Sequence, residues 1–404
     1  MGHLSRGGYS GRPLLEDRPW GRRDADACCA AAAWESAGLA TGRSVGLDSL
    51  STQSVRPPRR SQARQPRRWH VSDSRNEEQG CPQFSKLTHG LAVGLTVVVF
   101  PLIWVGGLVT TYDAGMAVPD WPTTYGWNMF AYPASTWLFG PFDLMVEHSH
   151  RLLASLSGMI AIGLVVAAWK LDRRPWFRWW AVGLLLLVIA QGVLGGVRVL
   201  LDERLVAKIH GCVGPAFFAL AAATGVLTSR WWFAPAAGME GAGRRVGKAV
   251  AIVVSGLCAL SYLQLVLGAQ LRHITGWMSH RSFRGLVHAH LAMAGLLLMG
   301  VLVAAIMVWW KPTIPRVRRW VMGLCLLVVL QIVLGCATWV VNYALPWSEL
   351  NKTLAGYTIQ AKGFVESLVV TAHMATGSLI VAFAAVASVR AWRFRWVVKQ
   401  GRVQ

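Results

Sequence analysis

Four histidines stand near the ends of apolar stretches, and each is followed four residues later by a small residue. They are His150 with Ala154, His210 with Gly214, His290 with Ala294 and His373 with Gly377. On a helix, positions i and i+4 share a face, so each imidazole would project over a notch holding little side chain. A histidine inside a bilayer is costly and marks function. Zinc could use imidazoles, but it gathers its ligands into one close tetrahedron. Two histidines from two helices, with notches beside them, suit the axial positions of a haem better. Haem ligation is the chemistry to which these residue types and spacings point.

Ligands of that kind need membrane helices to carry them. The chain has 404 residues and is 54% hydrophobic, which places it among integral membrane proteins. Runs long enough to cross a bilayer, about 20 residues each, fall at 88–111, 148–169, 179–200, 209–229, 249–270, 286–310, 320–342 and 367–389. The formal charge is +21. A soluble protein so basic would suggest nucleic acid, but here the basic residues lie between apolar runs, so no nucleic-acid partner is expected. The connections 170–178, 230–248 and 311–319, the segment before 87 and the tail after Arg390 are basic, whereas 112–147 has no Lys or Arg and carries Asp113, Asp120, Asp143 and Glu147. Positive residues stay inside, so both termini are expected on the cytoplasmic (or matrix) side. The expected fold is all-α and integral to the membrane.

An internal repeat organises the spans. Gln191-Gly-Val-Leu-Gly195 in the third span parallels Gln331-Ile-Val-Leu-Gly335 in the seventh, His150 with Ala154 parallels His290 with Ala294, and Glu203 to His210 parallels Glu366 to His373. A four-span unit restores the starting side, so the eight helices are expected as two parallel-related four-helix bundles. The expected divisions are a disordered basic extension over 1–86, an N-terminal half over 87–229, a linker over 230–248, a C-terminal half over 249–389 and a basic tail over 390–404. All four histidines then lie near the outer face, paired as His150 with His210 and His290 with His373.

One carboxylate breaks the symmetry. Glu147-His148-Ser149-His150-Arg151 opens the second span, and its repeat partner Val287-His288-Ala289-His290-Leu291 has no acid. At i,i+3, Glu147 shares a face with His150, which suggests one haem as substrate and the other as redox relay. The plainer reading of Glu147 is a helix-start residue favoured by the macrodipole. His148 and His288 point away from the ligand face and are expected at the membrane interface. Arg151, Lys208, Arg272 and Arg284 lie at outer ends, where they could pair with propionates or snorkel to the interface. Seven cysteines are scattered without a CxxC pair, so thiol chemistry is not expected to be central.

These residues resemble the heme A synthase family over 88–389. Glu147-x-x-His150-Arg151 matches the Glu-x-x-His-Arg pattern at the start of that family's second helix, and His210, His290 and His373 match its other ligand positions by helix and side. Gly106-Gly107-Leu108-Val109-Thr110, with Ala114-Gly115-Met116 and Pro119-Asp120-Trp121, resembles its first outer loop. The resemblance implies oxidation of the C8 methyl group of haem O to a formyl group, giving haem A, with water as oxygen source. It further implies haem O on His150 and His210, haem b on His290 and His373, and Glu147 as the catalytic carboxylate. Contacts with haem O synthase and oxidase assembly factors, and an external electron acceptor, follow from the same likeness. The outer-loop cysteine pairs that part of the family carries are missing here.

Two other functions compete on residue evidence. A bis-histidine di-haem b electron-transfer protein acting on quinone would share the ligands but has no need of Glu147. A haem transporter would suit parallel repeats, yet Gln191, Gln264, Gln270 and Gln331 sit in helix-packing patterns that interhelical hydrogen bonding explains. The location expected is the cell inner membrane. The mitochondrial alternative meets nine acidic residues in 1–86, where transit peptides are acid-poor.

Overall fold

The computed structural model describes residues 84–234, 248–273, 278–309, 315–343 and 363–400. The expectations for 1–83 and for most of the 230–248 linker lie outside these residues. Eight long helices dominate: α1 Lys86–Thr111, α2 Phe142–Leu171, α3 Pro175–Leu201, α4 Arg204–Leu227, α5 Lys248–Arg272, α6 His280–Trp309, α7 Pro315–Tyr343 and α8 Phe364–Gln400. Each contains a stretch long and apolar enough to cross a membrane. The protein is an all-α, multi-pass membrane protein.

Every even-numbered helix starts earlier than its apolar content suggests: at 142, 204, 280 and 364 rather than 148, 209, 286 and 367. Polar residues such as Asp143, Glu147, Arg204, Lys208, Arg281 and Arg284 dilute the hydropathy without breaking the helix. Asp143 and Glu366 lie in first turns, where the macrodipole favours an anion. The four histidines therefore sit roughly two to three turns inside their helices, on the order of 10–15 Å along the axis. At the other end of the chain, α8 continues through the expected tail as far as Gln400.

Each run of four helices builds its own apolar core. Ala92, Leu95, Val99, Leu164, Phe177, Leu184 and Phe217 fill the first, with Ala382 of α8 joining them. Val254, Leu257, Val301, Val308, Val321, Leu324 and Ala387 fill the second. Within each run the first helix packs on the second and fourth, and the third packs on the same two. Across the runs, α8 meets α1 and α4, and α4 meets α5. Both cores lie toward the end of the helices away from the histidines.

That far end is tied by ionic and aromatic contacts. Arg174 donates from Nη2 to Asp172 at 2.6 Å, from Nε at 2.9 Å, and from Nη1 to the Leu227 carbonyl at 2.9 Å. Its guanidinium lies 4.5 Å from the ring centres of Phe177 and Phe233. Both Asp172 and Arg174 are buried, so removing the acid leaves a cation with one carbonyl for compensation. Asp172→Ala is expected to cost about 3 kcal/mol, read as a lowered Tm in detergent. An unchanged Tm would mean that this pair carries no part of the fold.

Candidate functional site: two histidine pairs facing helix glycines

Each even helix lays its imidazole against a glycine of the odd helix before it. A Cβ placed on Gly106 would stand 2.6 Å from Cε1 of His150. The corresponding distances are 3.3 Å for Gly195 and His210, 3.3 Å for Gly268 and His290, and 3.2 Å for Gly335 and His373. A glutamine four residues before the glycine supplies a second tie in three of the four units. Gln191 Nε2 donates to the His210 carbonyl at 3.1 Å, and Gln264 Nε2 donates to the His290 carbonyl at 3.0 Å. Gln331 Nε2 stands 3.4 Å from His373 Nε2.

The small residues at i+4 acquire a visible role. A Cβ on Gly214 would stand 3.1 Å from Gln191 Nε2, and one on Gly377 would stand 3.4 Å from Gln331 Nε2. The notches that the sequence suggests for a macrocycle thus hold glutamine side chains at these two positions. A larger residue there would close off the histidine's turn of helix to the interhelical bond. Ala294 takes the same place after His290, and Ala154 follows His150, whose unit has Leu102 in the glutamine position.

The imidazoles fit an axial ligand role. Nδ1 of His150, His210, His290 and His373 is buried without a hydrogen-bond partner in all four, an arrangement that calls for an explanation. The His150 and His210 ring centres are 6.3 Å apart and the planes are at 78°. Two metal–nitrogen bonds of about 2 Å, plus roughly 1 Å from each nitrogen to its ring centre, place axial imidazoles about 6 Å apart. Among the described residues no three His, Cys, Asp or Glu side chains converge on a common point.

Glu147 is buried and bound. Its Oε1 accepts from Arg151 Nη2 at 2.8 Å and its Oε2 accepts from the Val118 N–H at 3.0 Å. Arg151 spends its other terminal N–H groups on the carbonyls of Val118 (2.8 Å), Asp120 (2.7 Å) and Thr123 (2.9 Å). The pair therefore holds the 118–124 segment down onto α2, one turn from His150. Asp120 extends this network by accepting from the N–H groups of Tyr125 and Gly126. Burial alone would raise the Asp120 carboxyl, but those bonds and the Thr123 hydroxyl keep it below its ordinary range. Tyr125 and Gly126, both at positive φ, close the turn between Thr124 and Trp127.

The remaining histidines separate by exposure. His148 is not interfacial: it is buried under the loop, 3.3 Å from Thr124 Oγ1 and stacked near Tyr132 and Trp137. His288 and His280 are exposed. Arg284 is exposed as well, while Lys208 donates to Gln270 Oε1 at 2.9 Å. Arg272 donates to the Gly107 carbonyl at 2.7 Å, to Thr111 Oγ1 and to Met374 Sδ, stapling α5 to α1 and α8. Sequence reasoning passed over Gly106, Gly195, Gly268 and Gly335 as ligand supports, although the repeated Gln-x-x-x-Gly pattern contains three of them.

The fold and site thus define a polytopic membrane protein with imidazole pairs built into repeated helix contacts. The profile of the family described as cytochrome oxidase assembly protein (COX15-CtaA) matches residues 89–350, and the chain belongs to this family. Three of the four histidines lie in the matched segment. The chain is 28% identical over 181 residues to the heme A synthase of Shouchella clausii, covering 44% of this chain and 56% of that protein. It is 23% identical over 240 residues to the heme A synthase of Bacillus licheniformis, covering 55% of this chain and 76% of the relative. The match thus spans little more than half of the first of these relatives.

If glycine positions the ring, adding one methyl group must displace it. Gly106→Ala is expected to disturb His150 more than Gly335→Ala disturbs His373, because the clash is 2.6 Å against 3.2 Å and overpacking costs about 1–3 kcal/mol. Haem retained per purified protein measures this. Equal retention in Gly106→Ala and the unaltered protein would remove the glycine from the site.

Proposed function

We propose that this chain is a heme A synthase that oxidises the C8 methyl group of haem O to a formyl group. His150 and His210 hold the substrate, and His290 and His373 hold a resident haem b. The observation that carries the reading is the inequality of two otherwise repeated sites: among the described residues only the first has a buried carboxylate, Glu147, one turn from its histidine. The overall change converts a methyl group and one water into an aldehyde, four protons and four electrons. Haem b, when bound, supplies a one-electron relay from the first site to an external acceptor.

The residues of this chain have separable tasks. Gly106 and Gly195 fix the imidazole planes of the substrate pair. Glu147 and Arg151 hold the outer loop, which limits water at the reacting edge. The Glu147 carboxylate uses only two of its roughly four acceptor sites on Arg151 and Val118. It can still take a proton from an attacking water or stabilise positive charge developing at the substrate carbon. Arg151, fully engaged with Glu147 and loop carbonyls, acts as a positioning residue in this reading rather than as a propionate partner.

The basic connections 170–178, 230–248 and 311–319 favour an inner-membrane protein with both termini cytoplasmic and both histidine pairs toward the outer face. Protein purified from cells that make haem O should release haem b together with haem O or haem A on extraction and mass analysis. Haem b alone would contradict the synthase reading and favour an electron-transfer protein. Glu147→Gln should retain both haems and stop before the aldehyde. Haem A at normal yield from that variant would confine Glu147 to holding the loop.

A further inference from the structure

The outer end of α3 carries a cation that the repeat does not explain. Arg198 lies three residues after Gly195, and the equivalent positions after Gly106, Gly268 and Gly335 are Val109, Leu271 and Thr338. On a helix that spacing keeps Arg198 on the face of Gly195, one turn nearer the outer end than the point where His210 rests. The His210 ring lies against Gly195, and its centre is 6.3 Å from that of His150. The outer loop is shaped around it: a Cβ on Gly115 would collide with the Arg198 guanidinium, and Gly196 makes room for the Trp121 ring.

Arg198 is also unspent. Lys208 is committed to Gln270, and Arg272 to Gly107, Thr111 and Met374. Arg198 has no hydrogen-bond or ion-pair partner among the described residues. The buried carboxylate of Glu147 is taken by Arg151. His273 registers the resulting positive field: burial first, then Arg272, Lys208, Arg198 and Arg204, push it down to about 4. It is therefore neutral near pH 7 and adds no positive charge. A half-buried guanidinium held against a loop glycine beside a ligand pair, with no carboxylate of its own, lacks an anionic partner.

We infer that Arg198 is a carboxylate-binding residue that receives a propionate of the macrocycle held by His150 and His210. This rests on the reading of that pair as the substrate site. It assigns the substrate's orientation: propionates toward the outer loop, under Gly115, with Arg198 fixing which edge of the ring enters deepest.

The test is optical titration of the purified full-length protein, carrying its resident haem b, with ferric haem O and with its dimethyl ester. Arg198→Gln should weaken haem O binding about ten- to a hundredfold, the range for a charge-assisted hydrogen bond, with Arg198→Lys in between. The ester should bind the unaltered protein and Arg198→Gln alike, because it offers no carboxylate. Unchanged haem O affinity in Arg198→Gln would overturn the inference, and so would an equal loss for acid and ester. His150→Ala separates the two levels. If the unaltered protein gains a bis-imidazole spectrum that His150→Ala abolishes, the substrate site stands whatever Arg198 does. If it gains none, both fall.

Discussion

An imidazole edge pressed against a helix glycine is the contact on which the rest of the site depends. It occurs four times, at Gly106, Gly195, Gly268 and Gly335, always between an even helix and the odd helix before it. The missing Cβ lets the helices approach closely enough for the ring to lie between them, as small residues do at membrane helix interfaces generally. Three of the four units add a glutamine that reaches the histidine or its carbonyl across the same interface. Ring position and helix packing are therefore one constraint, and a change to either moves the other.

Departures from the repeat are where the two histidine pairs differ in their surroundings. The His150 unit has Leu102 in place of the glutamine, which removes a polar group beside that ring. It gains Glu147 and Arg151, whose buried pair anchors a structured loop over the first site. Breaking such a pair on one side costs about 3–5 kcal/mol, so the loop stays closed on a firm base. Arg272 joins α1 and α8 at Gly107 and Met374, and Gly106 and His373 are the neighbours of those two residues in sequence. Arg272 thus ties the stretch of α1 that bears the His150 glycine to the turn of α8 that bears His373.

Much of this was legible in the sequence. Eight spans, the placing of the four histidines in register and the isolation of Glu147 follow from hydropathy and from the internal repeat. The glutamines read correctly as interhelical hydrogen-bond formers. The even helices start earlier than hydropathy indicates because charged residues at the outer ends lower the hydropathy while continuing the helix. At Gly214 and Gly377 the sequence shows the notch but not the glutamine of the neighbouring helix that lies against it, because that side chain comes from another helix. His148 likewise becomes buried only through the folded loop of Tyr132 and Trp137, a contact that no helical periodicity encodes. Arg198 has no repeat partner, and its significance emerges only when Gly115 is brought against it.

Low-temperature electron paramagnetic resonance of the ferric protein tests the central claim most directly. Two histidine pairs in different surroundings predict two distinct low-spin bis-imidazole signals. His210→Ala should remove one of them and His373→Ala the other. A single signal that survives both substitutions, or the loss of both signals from either one, would contradict the assignment of two separate haem sites.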